Sequence, residues 1–234
     1  MREYTDCYVA FMDLLGFKAI LGNKNISCED IALIFDEIKK QYYVRRNEIP
    51  MVNPDDINFK VMSDSVCVYI DSSIKNSFLV LIFICTYFQV RLLRLSPPIL
   101  VRGGISKGSM YSNEDVTFGP GMSDAYILEN DLAKYPRIII PMNVVDDYIQ
   151  IVDFSKRSLI SNFLFKDFDS FYTINYFELY TAWGYKTNDG EQLKNMIYNT
   201  LCTSKDLGVR EKYLYLQSHI IPKIDDAKER KRDV

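Results

Sequence analysis

The sequence predicts an α+β fold in which helices pack on one face of an antiparallel-rich sheet of ferredoxin-like order. Three observations carry that expectation. Strand-like and helical patterns succeed one another as strand, two helices, hairpin, helix, hairpin, helix and strand over residues 4–141. The first strand, ending Tyr8-Val9-Ala10-Phe11-Met12-Asp13, is almost continuously apolar and stops at a glycine-containing turn, as a central strand does. The stretch Phe78 to Leu95 has helix length and is closed by Ser96-Pro97-Pro98.

Each element follows from its own pattern. Tyr4 to Asp13 is the opening strand, and Leu14 to Asn23 a short helix. Cys28 to Arg46 is an amphipathic helix, because Ile31, Ile34, Phe35, Ile38 and Tyr42 recur at three- and four-residue spacings behind a Ser27 cap. Asn53-Pro54-Asp55-Asp56 breaks the chain before a hairpin over Ile57 to Ile70. A long helix then spans Ser73 to Leu95. Ile99 to Gly108 is the next strand, with Ser109 to Phe118 pairing back on it. Gly119 to Lys134 reads as a helix and Pro136 to Pro141 as a short strand of isoleucines.

Beyond Met142 the periodicity weakens. The aromatic-rich segment Phe165 to Tyr180 is expected to contribute strands, Glu191 to Leu201 and Leu207 to Ile221 helices, and Lys223 to Val234 a frayed, charge-dense tail. The domain organisation expected is a core over residues 1–141 and a C-terminal α/β extension over 142–234, packed on the same domain.

Composition narrows the function. A hydrophobic content of 48% with 14% aromatics is ample for one buried core in 234 residues. A net charge of −3 argues against a broad basic face for duplex nucleic acid, while leaving room for a local basic pocket. Five scattered cysteines without a C-x-x-C pair suit a reduced, cytoplasmic protein. The start carries Arg2, Glu3 and Asp6 rather than a basic start followed by an apolar run, so no cleavable signal is expected. Gln89, Arg91 and Arg94 interrupt the apolar helix, and its uninterrupted part, Phe78 to Cys85, is too short for a bilayer; no membrane insertion is expected. One histidine, His219, leaves little scope for a Ser-His-Asp triad or a multi-histidine metal site.

The chemistry is expected at two aspartates. Asp13 ends the first strand, and Asp64 lies in the Ser63-Asp64-Ser65 turn of the hairpin. Either alone is an ordinary turn former. Brought together on adjacent strand tips, two carboxylates repel unless a divalent cation lies between them, which points to a metal site for phosphate chemistry.

Four segments, in order, resemble the class III nucleotide cyclases. Phe11-Met12-Asp13-Leu14-Leu15-Gly16-Phe17 is similar to that family's first metal motif, and Lys60 to Asp64 to its second. Arg102-Gly103-Gly104-Ile105-Ser106-Lys107-Gly108 resembles its Arg-x-Gly-Ile-x-x-Gly strand. Phe118-Gly119, followed by Ser123 and Ala125, resembles its Trp-Gly segment and the helix behind it. The run Asp124-Ala125-Tyr126-x-Leu128-Glu129 and Tyr135-Pro136-Arg137 are most similar to the pyrimidine cyclases of bacterial Pycsar anti-phage systems.

The resemblance implies a class III cyclase fold acting as a homodimer with sites at the subunit interface. Asp13 and Asp64, with the Leu14 carbonyl, would hold two divalent ions, Mn²⁺ or Mg²⁺, for attack of a ribose 3′-oxygen on the α-phosphorus. Arg102 would bind the β and γ phosphates, Phe11 line the triphosphate or ribose, and Gly16 let the chain turn around the phosphates. Lys60 and Thr117 would meet the base. The family's adenine-reading aspartate is replaced by Val116, which accepts no hydrogen bond from adenine. Its transition-state asparagine and arginine become Ser123 and Ile127, so Arg137 is taken as the replacement catalytic cation and Ser123 as a substrate contact.

The activity implied is conversion of UTP to 3′,5′-cyclic UMP and pyrophosphate, the product acting on a separate effector in anti-phage defence. The alternatives are CTP as substrate with cyclic CMP as product, a diguanylate-cyclase or polymerase-palm relative, and a non-catalytic nucleotide-binding domain of the same fold.

Overall fold

The computed structural model describes residues 4–17, 29, 32, 36, 52–95, 97–152, 154–182 and 187–232. Its centre is β1 (Thr5–Leu15), flanked by β3 (Ser65–Asp71) and β4 (Leu100–Ser112), with β2 (Asn58–Met62) outside β3. Every neighbouring pair in this β2-β3-β1-β4 group is antiparallel, the ferredoxin-like order the sequence predicts. Beyond β4 the sheet continues through β6 (Ile138–Ile140), which runs parallel to β4, then β8 (Tyr172–Ile174) and β7 (Leu164–Lys166). The short β5 (Thr117–Phe118) folds back on the far end of β4.

Alternation along β1 explains why it reads as an unbroken apolar run. Tyr8, Ala10, Met12 and Leu14 face the main core, whereas Cys7, Val9 and Phe11 face a second, smaller cluster. Both faces of the strand are covered, so neither series can be polar. The main core is completed by α1 (Ser77–Leu93), in which every residue but Arg91 is buried. Among the described residues no helix is long and apolar enough to cross a membrane.

The opposite face carries α2 (Pro120–Ile127), which continues into a π-helical turn over Leu128–Leu132. This helix lies unusually near β4. A Cβ on Gly104 would come within 2.3 Å of the Leu128 Cβ and 2.7 Å of the Ala125 carbonyl, so only glycine admits the contact.

Helices α3 (Met142–Ile151), α4 (Phe154–Phe163), α5 (Tyr176–Ala182), α6 (Thr187–Thr203) and α7 (Leu207–Arg232) make up most of the remainder. The structure departs from the sequence reading in three places. Strand β1 runs on through Leu14 and Leu15, and β4 continues to Ser112, leaving only two pairs for the returning β5. The charge-dense tail is helical through Arg232, because Ile220, Ile224 and Ala227 form a buried stripe on α7. Beyond Leu15, the helices expected over 14–23 and 28–46 lie outside the described residues, apart from isolated helical positions.

Candidate active site at the ends of β1 and β3

Asp13 occupies the α2 side of β1, in series with Cys7, Val9 and Phe11. It stands opposite Ser65 on β3 and Arg102 on β4. Because Ser65 opens β3, Asp64 falls in the two-residue turn from β2, one position from the residue facing Asp13. That turn uses a left-handed Ser63 at φ 57°, and the Leu14 N–H donates to the Asp64 carbonyl at 2.9 Å. Two residues fifty positions apart are thereby clipped onto adjoining strand ends. Gly16 follows at φ +80°, where L side chains are strained; a Cβ there would meet nothing within 4 Å, so conformation rather than protein crowding calls for glycine.

Arg102 lies between two carboxylates. Its Nε donates to Asp13 Oδ2 at 3.3 Å and lies 2.7 Å from Glu129 Oε1. Asp13 and Arg102 are partly open to solvent, with side chains 18% and 22% exposed, but Glu129 is only 3% exposed. Burial pushes the Glu129 carboxyl up to about 7; Arg102 opposes the rise, while the charges of Asp13, Asp131 and Asp64 add to it. Glu129, Asp13 and Asp64 therefore share one electrostatic neighbourhood. Glu129 was not among the residues expected at the site. In sequence it is one acidic residue in a helix, and its burial arises from the π-helical turn seated over Gly104.

Among the described residues, no group of three or more His, Cys, Asp or Glu side chains is arranged to hold a metal ion. A divalent ion here would rest on the Asp13 and Asp64 carboxylates and the Leu14 carbonyl, with water and phosphate supplying further oxygens, as Mg²⁺ prefers. The local charge fits such an ion: Asp13 and Glu129 flank the one guanidinium of Arg102, the charge of Asp64 also acts on Glu129, and the buried Glu129 Oε1 accepts no hydrogen bond despite its closeness to Arg102. An all-oxygen set suits Mg²⁺ or Mn²⁺ better than zinc.

Beside the carboxylates lies an open apolar hollow of about 530 Å³. It brings together three residues the sequence singles out, Phe11, Thr117 and Ser123, with Met62, Phe118 and Tyr126. Phe11 meets Tyr126 edge to face at 5.5 Å, Thr117 and Ser112 share a hydrogen bond of 2.8 Å, and Ser123 Oγ donates to the Gly119 carbonyl at 3.3 Å. Ile127 also faces the hollow. Lys60 lies half-buried on β2, opposite Cys67, which in turn faces Phe11 across β3 and β1.

Arg137 does not join this group. Its side chain is 1% exposed and buried among Tyr135, Phe168 and Tyr215, whose ring centroids lie 5.2–5.6 Å from the guanidinium carbon. Nη1 donates to Asp167 Oδ2 at 2.5 Å and to Asp169 Oδ1 at 3.2 Å, and Nη2 to Asp169 Oδ2. Tyr215 of α7 donates to the same Asp167 at 2.6 Å. Burial alone would raise the Asp167 carboxyl, but Tyr215, the Phe168 N–H and Arg137 together hold it below the ordinary range. The expectation that Arg137 replaces the missing catalytic cation is corrected: two aspartates already neutralise it, and it fastens the C-terminal helix to the sheet instead.

No family model and no curated protein matches the sequence. Solved structures do match the fold. The monomeric guanylyl cyclase domain of the RhoGC fusion protein from the aquatic fungus Blastocladiella emersonii aligns with a TM-score of 0.50 at 11% identity, over 73% of this chain and 95% of that one. The adenylyl cyclase CyaB from P. aeruginosa aligns with a TM-score of 0.45 at 13% identity, over 64% and 84% of the two chains. The α+β sheet described above is thus the fold of a class III cyclase domain.

Proposed function

We propose that this chain is a nucleotide cyclase that closes a nucleoside triphosphate, UTP by preference, into its 3′,5′-cyclic monophosphate with release of pyrophosphate. The reading rests on one observation above all: Asp13 pairs on one side with Ser65, the residue after Asp64, and on the other with Arg102, on a fold shared with a guanylyl cyclase domain. Asp13, Asp64 and the Leu14 carbonyl hold the divalent ions, which when bound acidify the 3′-hydroxyl and neutralise the triphosphate. Arg102 offers the planar donor fork that matches β- and γ-phosphate oxygens.

The apolar hollow receives the nucleoside. Phe11 and Tyr126 supply flat faces, while the Thr117 and Ser123 hydroxyls can each donate or accept, as a pyrimidine edge requires. Val116, 47% exposed at the position of the adenine-reading aspartate, offers adenine no acceptor. Exposed Met62, Phe118, Tyr126 and Ile127 leave the hollow open on one side, and a second copy of the chain closes it in a homodimer, with Lys60 facing the base from across the interface. The product serves as a second messenger for a separate anti-phage effector.

Purified protein incubated with Mn²⁺ and each of the four triphosphates tests the reading by pyrophosphate release and product mass. A cyclic UMP mass is expected; cyclic CMP would redirect it to cytidine, and no pyrophosphate from any triphosphate would reject the enzyme. A second reading, a non-catalytic nucleotide-binding domain, draws on the Arg102 contact that already satisfies Asp13 without a metal. Tight triphosphate binding with no product, unaffected by Asp13→Ala, would select it.

A further inference from the structure

Arg102 uses one nitrogen for both of its acidic neighbours. Nε is the guanidinium nitrogen that donates to Asp13, at 3.3 Å, and it lies 2.7 Å from Glu129. The two acids differ in kind. Asp13 is partly open to solvent, two residues short of the end of β1. Glu129 is shielded and fixed from behind, because its turn is closed by the Ala133 N–H on the Leu128 carbonyl at 2.8 Å and pressed onto β4, where a Cβ on Gly104 would come within 3.0 Å of the Glu129 nitrogen. Such π-helical turns often mark functional positions.

We infer that Glu129 is a positioning residue that takes Arg102 from Asp13, so that a divalent cation and the guanidinium exchange places on Asp13. This rests on the cyclase reading and adds a residue to it. A cation on Asp13 repels Arg102 and removes the charge that holds it there. Without a second anion the guanidinium would leave the strand end. Glu129 retains Nε at that point and leaves the terminal nitrogens directed to an incoming phosphate group. When no metal is present, Arg102 returns to Asp13 and spares the strand ends an uncompensated carboxylate.

The test is Mn²⁺ binding to the full chain without nucleotide, read from the paramagnetic resonance signal of free Mn²⁺. Arg102→Met removes the competing cation and should tighten binding about tenfold. Glu129→Gln leaves Arg102 on Asp13 alone and should weaken binding by a similar factor, about tenfold, with a raised KM for the triphosphate. In the double variant the loss should vanish, with Mn²⁺ bound as tightly as by Arg102→Met alone, because Glu129 acts only through Arg102. Glu129→Asp, which keeps the charge but withdraws it from Nε, should weaken binding too and serves if the glutamine variant does not fold. A double variant that binds more weakly than Arg102→Met by the full Glu129→Gln factor would mean direct attraction of the ion and would overturn the inference. So would Glu129→Gln binding Mn²⁺ like the wild type in a protein that still releases pyrophosphate. A wild type that neither binds Mn²⁺ nor turns over any triphosphate would remove the cyclase reading and this inference together.

Discussion

Replacing Arg137 by methionine should cost the fold about 3–5 kcal/mol, the range for removing one partner of a buried ion pair. The structure sets where in that range the loss falls. Asp167, 5% exposed, would be left buried beside Tyr215 with no countercharge, whereas Asp169, 28% exposed, can recover part of its solvation from water. Methionine keeps contact with the rings of Tyr135, Phe168 and Tyr215 but loses the cation–π attraction, worth about 0.5–2 kcal/mol. At roughly 2–4 °C per kcal/mol for a chain of this size, the melting temperature should fall by about 10 °C. Calorimetry measures the shift, and pyrophosphate release per folded molecule, assayed well below the transition, should stay at the wild-type rate. An undiminished melting temperature with turnover abolished would refute this reasoning and return Arg137 to the reaction.

Gly104→Ala drives a methyl group into the Leu128 Cβ and the Ala125 carbonyl, and should cost about 1–3 kcal/mol in thermal or urea unfolding while lowering turnover, since the displaced turn carries Glu129. Asp13→Asn should lower pyrophosphate release at least about a hundredfold with little loss of melting temperature, because under the proposed function the removed charge serves the reaction rather than the core. The Asp167 carboxyl is depressed in the fold, so its stabilisation is complete above the ordinary aspartate range and is lost as pH falls through its lower folded value. Asp167→Asn should therefore be less stable than wild type near neutrality, and the gap between their unfolding free energies should close in strong acid; a gap independent of pH would contradict the assignment.

How much of this was legible in the chain differs from residue to residue. Asp13 and Asp64 stand out in the sequence because each ends or joins an apolar run, which is a local property. Their neighbourhood comes from the register of β1 against β3, where Asp13 faces Ser65 and the Leu14 N–H donates to the Asp64 carbonyl. Glu129 was hidden: nothing in Leu128-Glu129-Asn130 separates a shielded carboxylate from a solvated one until Gly104 lets the helix descend on β4. Arg137 misled for the same reason, since its aspartates lie thirty residues downstream and meet it only when β8 joins β6. The tail misled through its charges. Lys194 with Asp225, Lys223 with Glu178 and Lys228 with Glu191 pair across helices, and the stripe of Ile220, Ile224 and Ala227 outweighs them.

By itself, the chain determined most of the described elements and the order of the antiparallel group, because periodicity and turn chemistry act between near neighbours. Tertiary structure alone decided which charges meet. Coulomb attraction and burial depend on distance in space, and sequence separation carries neither.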